Sequence, residues 1–246
     1  MKRVSTMLCL CLFAMPVLAA GRLADVEIYD RTAGRTLPVY ESGGHLFVAG
    51  RPGNEYSVTL RNRDRNDLLA VVSVDGVNVV TGEAASPAQS GYVIERGRPL
   101  SIAGWRKSLA KVAVFYFTDL GDSYAARTGR PENVGVIGVA LFRRKVEPLA
   151  ELEQPKDRAA SGAASDSAPR SAPAAAEKKI GTGHGRGQDS AARYVQFERD
   201  SEQPAEVLAI HYDTYANLVA RGVIHDGRRL PAPFPGAFVP DPPERG

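Results

Sequence analysis

Two short stretches hold the side chains best suited to gripping a ligand. Gly104-Trp105-Arg106-Lys107-Ser108 carries the chain's only tryptophan beside two cations, and residues 122–133 form a polar loop bearing Tyr124, Arg127 and Arg130. An aromatic ring offers a stacking face, and a guanidinium offers a bidentate fork that stays charged. Trp105, Arg106, Tyr124, Arg127 and Arg130 are therefore the candidate binders of an anionic or sugar-like ligand, provided the two stretches meet at one end of the fold. The plainer reading is that Trp105 closes the end of the core while the arginines fasten loop carbonyls and carboxylates such as Asp122 and Glu132. A second polar cluster, Asp75, Asn78 and Glu83, is explained by the chemistry of a turn.

Catalytic chemistry has less support. The run Gly181-Thr-Gly-His-Gly-Arg-Gly187 lacks the Lys-Ser/Thr ending of a phosphate loop and reads as a flexible lead-in to the residues after it. The four histidines, His45, His184, His211 and His225, stand singly without metal-ligand spacing, so no metal is assigned. There is no Gly-x-Ser-x-Gly elbow and no cofactor fingerprint. A pair of carboxylates brought together only by the fold would still support a polymer hydrolase. No catalytic residue and no cofactor are assigned, and the reading leans away from an enzyme.

The net charge of +3 is small and the signs are interleaved, which argues against the clustered basic footprint of a nucleic-acid binder. Lys2 and Arg3, the apolar run Met7 to Leu18 and the small residues Val17 and Ala19 form a secretory signal pattern, with cleavage expected after Ala19 or Ala20. The run is too short to span a bilayer and no stop-transfer segment follows, so no membrane insertion is expected after cleavage. Both cysteines, Cys9 and Cys11, fall in the segment to be removed. Leucine precedes each of them, which is unlike a lipidation site. A periplasmic or extracellular chain of about 225 residues is left, long enough to bury a core without disulfides.

Positioning of the candidate residues falls to strands. From Leu23 to Phe142, short alternating or apolar runs are separated by Gly, Pro, Asn and Asp, the pattern of an antiparallel two-sheet sandwich. Strands are expected at 26–29, 36–40, 45–49, 56–61, 68–74, 77–80, 91–95 and 100–103, with a type I′ turn at Asp75-Gly76. Two runs apolar on both faces, 112–118 and 134–142, should lie centrally, and Gly135 and Gly138 mark a close approach. The expected organisation is a signal peptide over 1–20, the sandwich over 21–147 and a disordered, Ala/Ser/Pro-rich linker over 148–176. A small ββα-like module follows over 177–229, then a Pro-rich tail over 230–246. In the module, strands at 194–198 and 207–212 precede a helix capped by Asp213 or Thr214 and stopped by Gly222. This two-part scheme implies that removing Glu177 to Gly246 leaves the sandwich folded.

The strings Leu69-Ala-Val-Val-Ser-Val-Asp-Gly-Val-Asn-Val-Val-Thr-Gly-Glu83, Gly91-Tyr-Val-Ile94, Gly104-Trp-Arg-Lys107 and Ser123-Tyr-Ala-Ala-Arg-Thr-Gly-Arg-Pro-Glu-Asn-Val-Gly-Val-Ile-Gly138, together with Gly181-Thr-Gly-His-Gly-Arg186 and Tyr212-Asp-Thr-Tyr-Ala-Asn-Leu-Val-Ala-Arg-Gly222, resemble a family of uncharacterised exported bacterial proteins. The resemblance implies a β-sandwich with a short C-terminal module and carries no catalytic residue. The expected function is a non-enzymatic binding module for a protein or cell-envelope component. A cell-envelope polymer hydrolase and a self-assembling structural protein are the alternatives.

Overall fold

The computed structural model describes residues 19–146 and 179–225. The expected signal peptide up to residue 18, the linker at 148–176 and the tail from residue 230 therefore lie outside the described residues. In chain order the strands are β1 (Ala19–Ala20), β2 (Ala24–Asp30), β3 (Arg35–Thr36), β4 (Val39–Ser42), β5 (His45–Ala49), β6 (Glu55–Asn62), β7 (Leu68–Val74) and β8 (Val77–Asn78). There follow β9 (Tyr92–Ile94), β10 (Leu100–Ile102), β11 (Gly104–Arg106), β12 (Lys111–Asp119), helix α1 (Tyr124–Arg127), β13 (Val136–Arg143), β14 (Ile180–Asp189), β15 (Glu206–Asp213) and helix α2 (Tyr215–Ala220).

The chain is mostly β, and its strands form a two-sheet sandwich. One sheet runs β1–β2–β6–β12–β11, with β3 added to β2, β10 to β6 and β14 to β12. The other runs β4–β5–β15–β13–β7–β8, with β9 added to β7. Strand pairs are antiparallel except β15 beside β5. Period-two patterning fills the space between the sheets. Tyr56, Phe115 and Phe117 are fully buried, and Tyr56 stacks on Phe117 at 4.3 Å. As expected, β12 and β13 are interior strands. The Asp75-Gly76 turn takes φ of 53° and 71°, the left-handed pair that a tight hairpin requires.

Close backbone approach fixes the strand that carries the tryptophan. A Cβ on Gly104 would stand 1.9 Å from Ala113 O in β12, so only glycine lets β11 lie in its register. Gly104→Ala is expected to lower stability by about 3 kcal/mol, at the upper end of overpacking costs, because the obstacle is backbone rather than a movable side chain. Chemical denaturation of the single variant checks this.

The C-terminal segment is not a body packed on the sandwich. Strand β14 pairs along β12 in one sheet, and β15 lies between β13 and β5 in the other. The expected ββα order is present, but its two strands complete the two sheets. The Gly-rich run expected to be a flexible lead-in is most of β14. A Cβ on Gly183 would fall 2.2 Å from Tyr116 Cζ, and one on Gly181 would fall 2.6 Å from both Ser123 Cβ and Val134 Cγ1. The glycines admit neighbours against the strand rather than loosening it.

Residues 194–198, expected as a strand, form no ladder. They carry the chain from one sheet to the other, with Tyr194 89 % exposed and Phe197 packed on Leu69, Val71, Ala140 and Phe142. Helix α2 begins where expected: Thr214 Oγ1 accepts from Asn217 N at 3.1 Å, and Gly222 follows at φ 71°.

Candidate functional site

Strand alternation turns Trp105 inward, opposite Ala113, and leaves it 3 % exposed. Its ring meets Phe115 edge-on at 4.8 Å and Tyr124 at 4.9 Å. Tyr124 opens α1, whose start is fixed by Ser123: its Oγ accepts from Ala126 N and donates to Leu120 O. The two stretches singled out in the sequence therefore do meet.

Strand β14 supplies a third ring. His184 lies parallel to Trp105 at 6.4 Å and 5.5 Å from Tyr124. Tyr124 is half-buried and His184 is exposed, so these two rings, rather than Trp105, face outward. The indole N–H of Trp105 is buried and meets no acceptor among the described residues, a cost of about 1–3 kcal/mol where it occurs.

The three arginines of the candidate set have different surroundings. Arg106 points away from the ring cluster: its Nε donates to Tyr92 Oη at 3.0 Å and its Nη1 to Ser190 O at 2.5 Å. Arg130 donates to Thr128 Oγ1 at 3.1 Å and Gly82 O at 3.4 Å. Both hold loops together, as the plainer reading has it, although their acceptors are carbonyls and hydroxyls rather than Asp122 or Glu132. The Arg127 side chain is exposed and forms no hydrogen bond or ion pair among the described residues, and the same holds for Lys107. Partial burial lowers the pKa of His184, and the charges of Lys107 and Arg127 lower it further. The imidazole is thus mostly neutral at pH 7 and sits in the positive field of Lys107 and Arg127.

Sequence reasoning placed Trp105, Tyr124 and Arg127 around one spot and missed His184 and Lys107 as members. The available signal was the spacing Gly-x-Gly-x-Gly around His184, which fits an edge strand as well as a loop.

A separate polar cluster lies between the sheets. Asp75 is fully buried. Its carboxylate accepts from Tyr212 Oη at 2.5 Å, Thr182 N at 2.7 Å and Gly135 N at 2.9 Å. Thr182 Oγ1 extends the chain to Tyr212 and Tyr56 at 2.7 and 2.6 Å. Burial raises the Asp75 pKa, and the hydrogen bonds from Tyr212 and the backbone pull the other way. Turn chemistry accounts for the φ of Asp75 but not for this role: the residue joins β14 and β15 to the β7–β8 turn. Fully enclosed, the cluster is a structural tie.

His45 and His211 meet edge-to-face at 5.4 Å on the paired strands β5 and β15. Among the described residues no third His, Cys, Asp or Glu joins them as a metal site. No described helix is long and apolar enough to cross a membrane. Comparison with protein-family models, curated proteins and solved structures returns no match.

Proposed function

We propose that the protein is a non-enzymatic binding module that works outside the cytoplasm and holds an acidic sugar ring, such as a uronic-acid unit of an envelope polymer, on the Tyr124–His184 face. One observation carries the reading: two cations without partners among the described residues, Lys107 and Arg127, act on a neutral imidazole beside an outward-facing tyrosine. A ring packs against the two aromatic faces while its carboxylate pairs with the cations. Trp105 is the floor that holds both rings in place. Export rests on the Lys2-to-Ala19 pattern. A hydrolase is less well supported, because Asp67 and Glu95, the two carboxylates lining the groove between β9, β10 and the 190–199 segment, are ion-paired with Arg144 and Arg98.

The test is calorimetric titration with trigalacturonate, with maltotriose as the neutral control. Saturable binding of the acidic trisaccharide alone is expected, weakened at least tenfold in Lys107→Glu/Arg127→Glu. Equal binding of both sugars, or binding unchanged in the variant, contradicts the proposal.

The sign of the pH dependence follows from His184. An anion favours the charged imidazole, so binding takes up a proton, and affinity rises as pH falls from 7.5 through 6.5 towards the lowered pKa. His184→Gln should abolish that rise while the protein stays folded.

A further inference from the structure

A groove of about 1180 Å³ lies where the chain crosses between the sheets, with Lys107 on its rim. One wall is the pair of short strands β9 and β10. Strand β9 pairs only with β7 and β10 only with β6 among the described strands, so each presents an open backbone edge. The other wall is the crossing segment 190–199. It is fastened at Ala192 N to Leu109 O and, at its far end, by Lys145 N to Glu198 O. Between these points, no backbone N–H from Arg193 to Phe197 is bonded to another described residue. Tyr194, Val195 and Leu109 line the groove and are 89 %, 50 % and 45 % exposed.

The charge is one-sided. Arg98, Arg106, Lys107, Arg193 and Arg199 line the groove against Asp67 and Glu95. Glu95 is paired with Arg98, and Asp67 with Arg144. Arg193 has no partner among the described residues.

We infer that this groove takes an extended acidic peptide segment of a partner protein, added as a strand along the open edges of β9 and β10 beneath the 190–199 crossing. Strand addition supplies main-chain hydrogen bonds to edges that lack them. Alternate apolar side chains of such a peptide meet Val93, Leu100, Leu109 and Val195, and its carboxylates meet Arg193 and Lys107. The groove shares Lys107 with the sugar site, but the test below turns on Arg193 and Tyr194, which the sugar site does not use, so a failure of either proposal is distinguishable from a failure of the other.

The probes are two labelled heptapeptides, Glu-Val-Glu-Val-Glu-Val-Glu and Lys-Val-Lys-Val-Lys-Val-Lys, followed by fluorescence anisotropy with the full chain. The acidic peptide is expected to bind saturably and at least tenfold more tightly than the basic one. Arg193→Glu and Tyr194→Ser, both exposed residues that line the groove, should each weaken it at least fivefold with the thermal melt unchanged. Equal binding of the two peptides, no binding of either, or indifference to both substitutions overturns the inference. Binding that emerges only when Glu147, Glu151 and Glu153 are replaced by Ala also overturns it, since the chain's own acidic stretch would then be the occupant.

Discussion

A chain ending at residue 178 is expected to show no cooperative thermal transition. Strand β15 is interior, hydrogen-bonded to β13 from Val136 to Leu141 and to β5 from Leu46 to Ala49. Its loss opens both neighbours along their length. The truncation also strips Ile180, Ile210, Tyr212 and Leu218 from the buried set. At about 2 kcal/mol for each large apolar side chain, these four together approach the whole net stability of a domain, roughly 5–15 kcal/mol. Circular dichroism and calorimetry of the truncated chain give the answer. A retained sharp melt would mean that residues before 147 form a self-sufficient sandwich, as the two-part reading of the sequence had it.

Asp75→Ala is expected to destabilise the full chain by about 3–5 kcal/mol. The substitution leaves Tyr212 Oη, Thr182 N and Gly135 N without this acceptor, and each buried unsatisfied donor costs about 1–3 kcal/mol before relaxation. Alanine also tolerates the φ of 53° less well than aspartate does. Asp75→Asn keeps both the backbone tolerance and an acceptor oxygen, so a loss of only about 1–2 kcal/mol is expected. Denaturant midpoints for the pair check this; equal losses would assign the effect to the turn alone.

Both variants also differ from the native chain in pH response. The folded pKa of Asp75 lies above the ordinary carboxylate value, so the folded chain holds this proton more tightly than the unfolded one. The stability it contributes is fully present below the unfolded pKa and is lost as pH rises through the folded one. Asp75→Asn removes that contribution, and the stability profile of the variant should be flatter across that window.

Much of the fold could be read from patterning. The bounds of β5 and β7, the left-handed Asp75-Gly76 turn, the interior placement of β12 and β13 and the capped helix α2 all follow from local rules: alternation, turn stereochemistry and capping. The failures share a cause in long-range contact. Gly181 to Gly187 looked loose because glycine is locally permissive, yet Tyr116, Ser123 and Val134 pack where side chains would stand. Tyr194 to Glu198 alternates like a strand, but the topology uses it as a crossing between sheets, where only Phe197 finds a buried face. The independence of the C-terminal segment was inferred from its small apolar content, and that content suffices because each strand borrows its core from a sheet already there. At the candidate site, Trp105 and Tyr124 could be paired from the sequence. The roles of Arg106 and Arg130 depended on acceptors 84 and 48 residues away, and no local pattern encodes those.

The single tryptophan makes the site report on itself. Trp105 lies against Tyr124 and His184, so its fluorescence, followed at pH 6 during titration with trigalacturonate, tests the central claim most directly. A saturable spectral change in the native protein, absent in Lys107→Glu/Arg127→Glu at equal thermal stability, is the expected result. A flat response in the native protein, or the same saturable response in the charge-reversed variant, would contradict binding at this face.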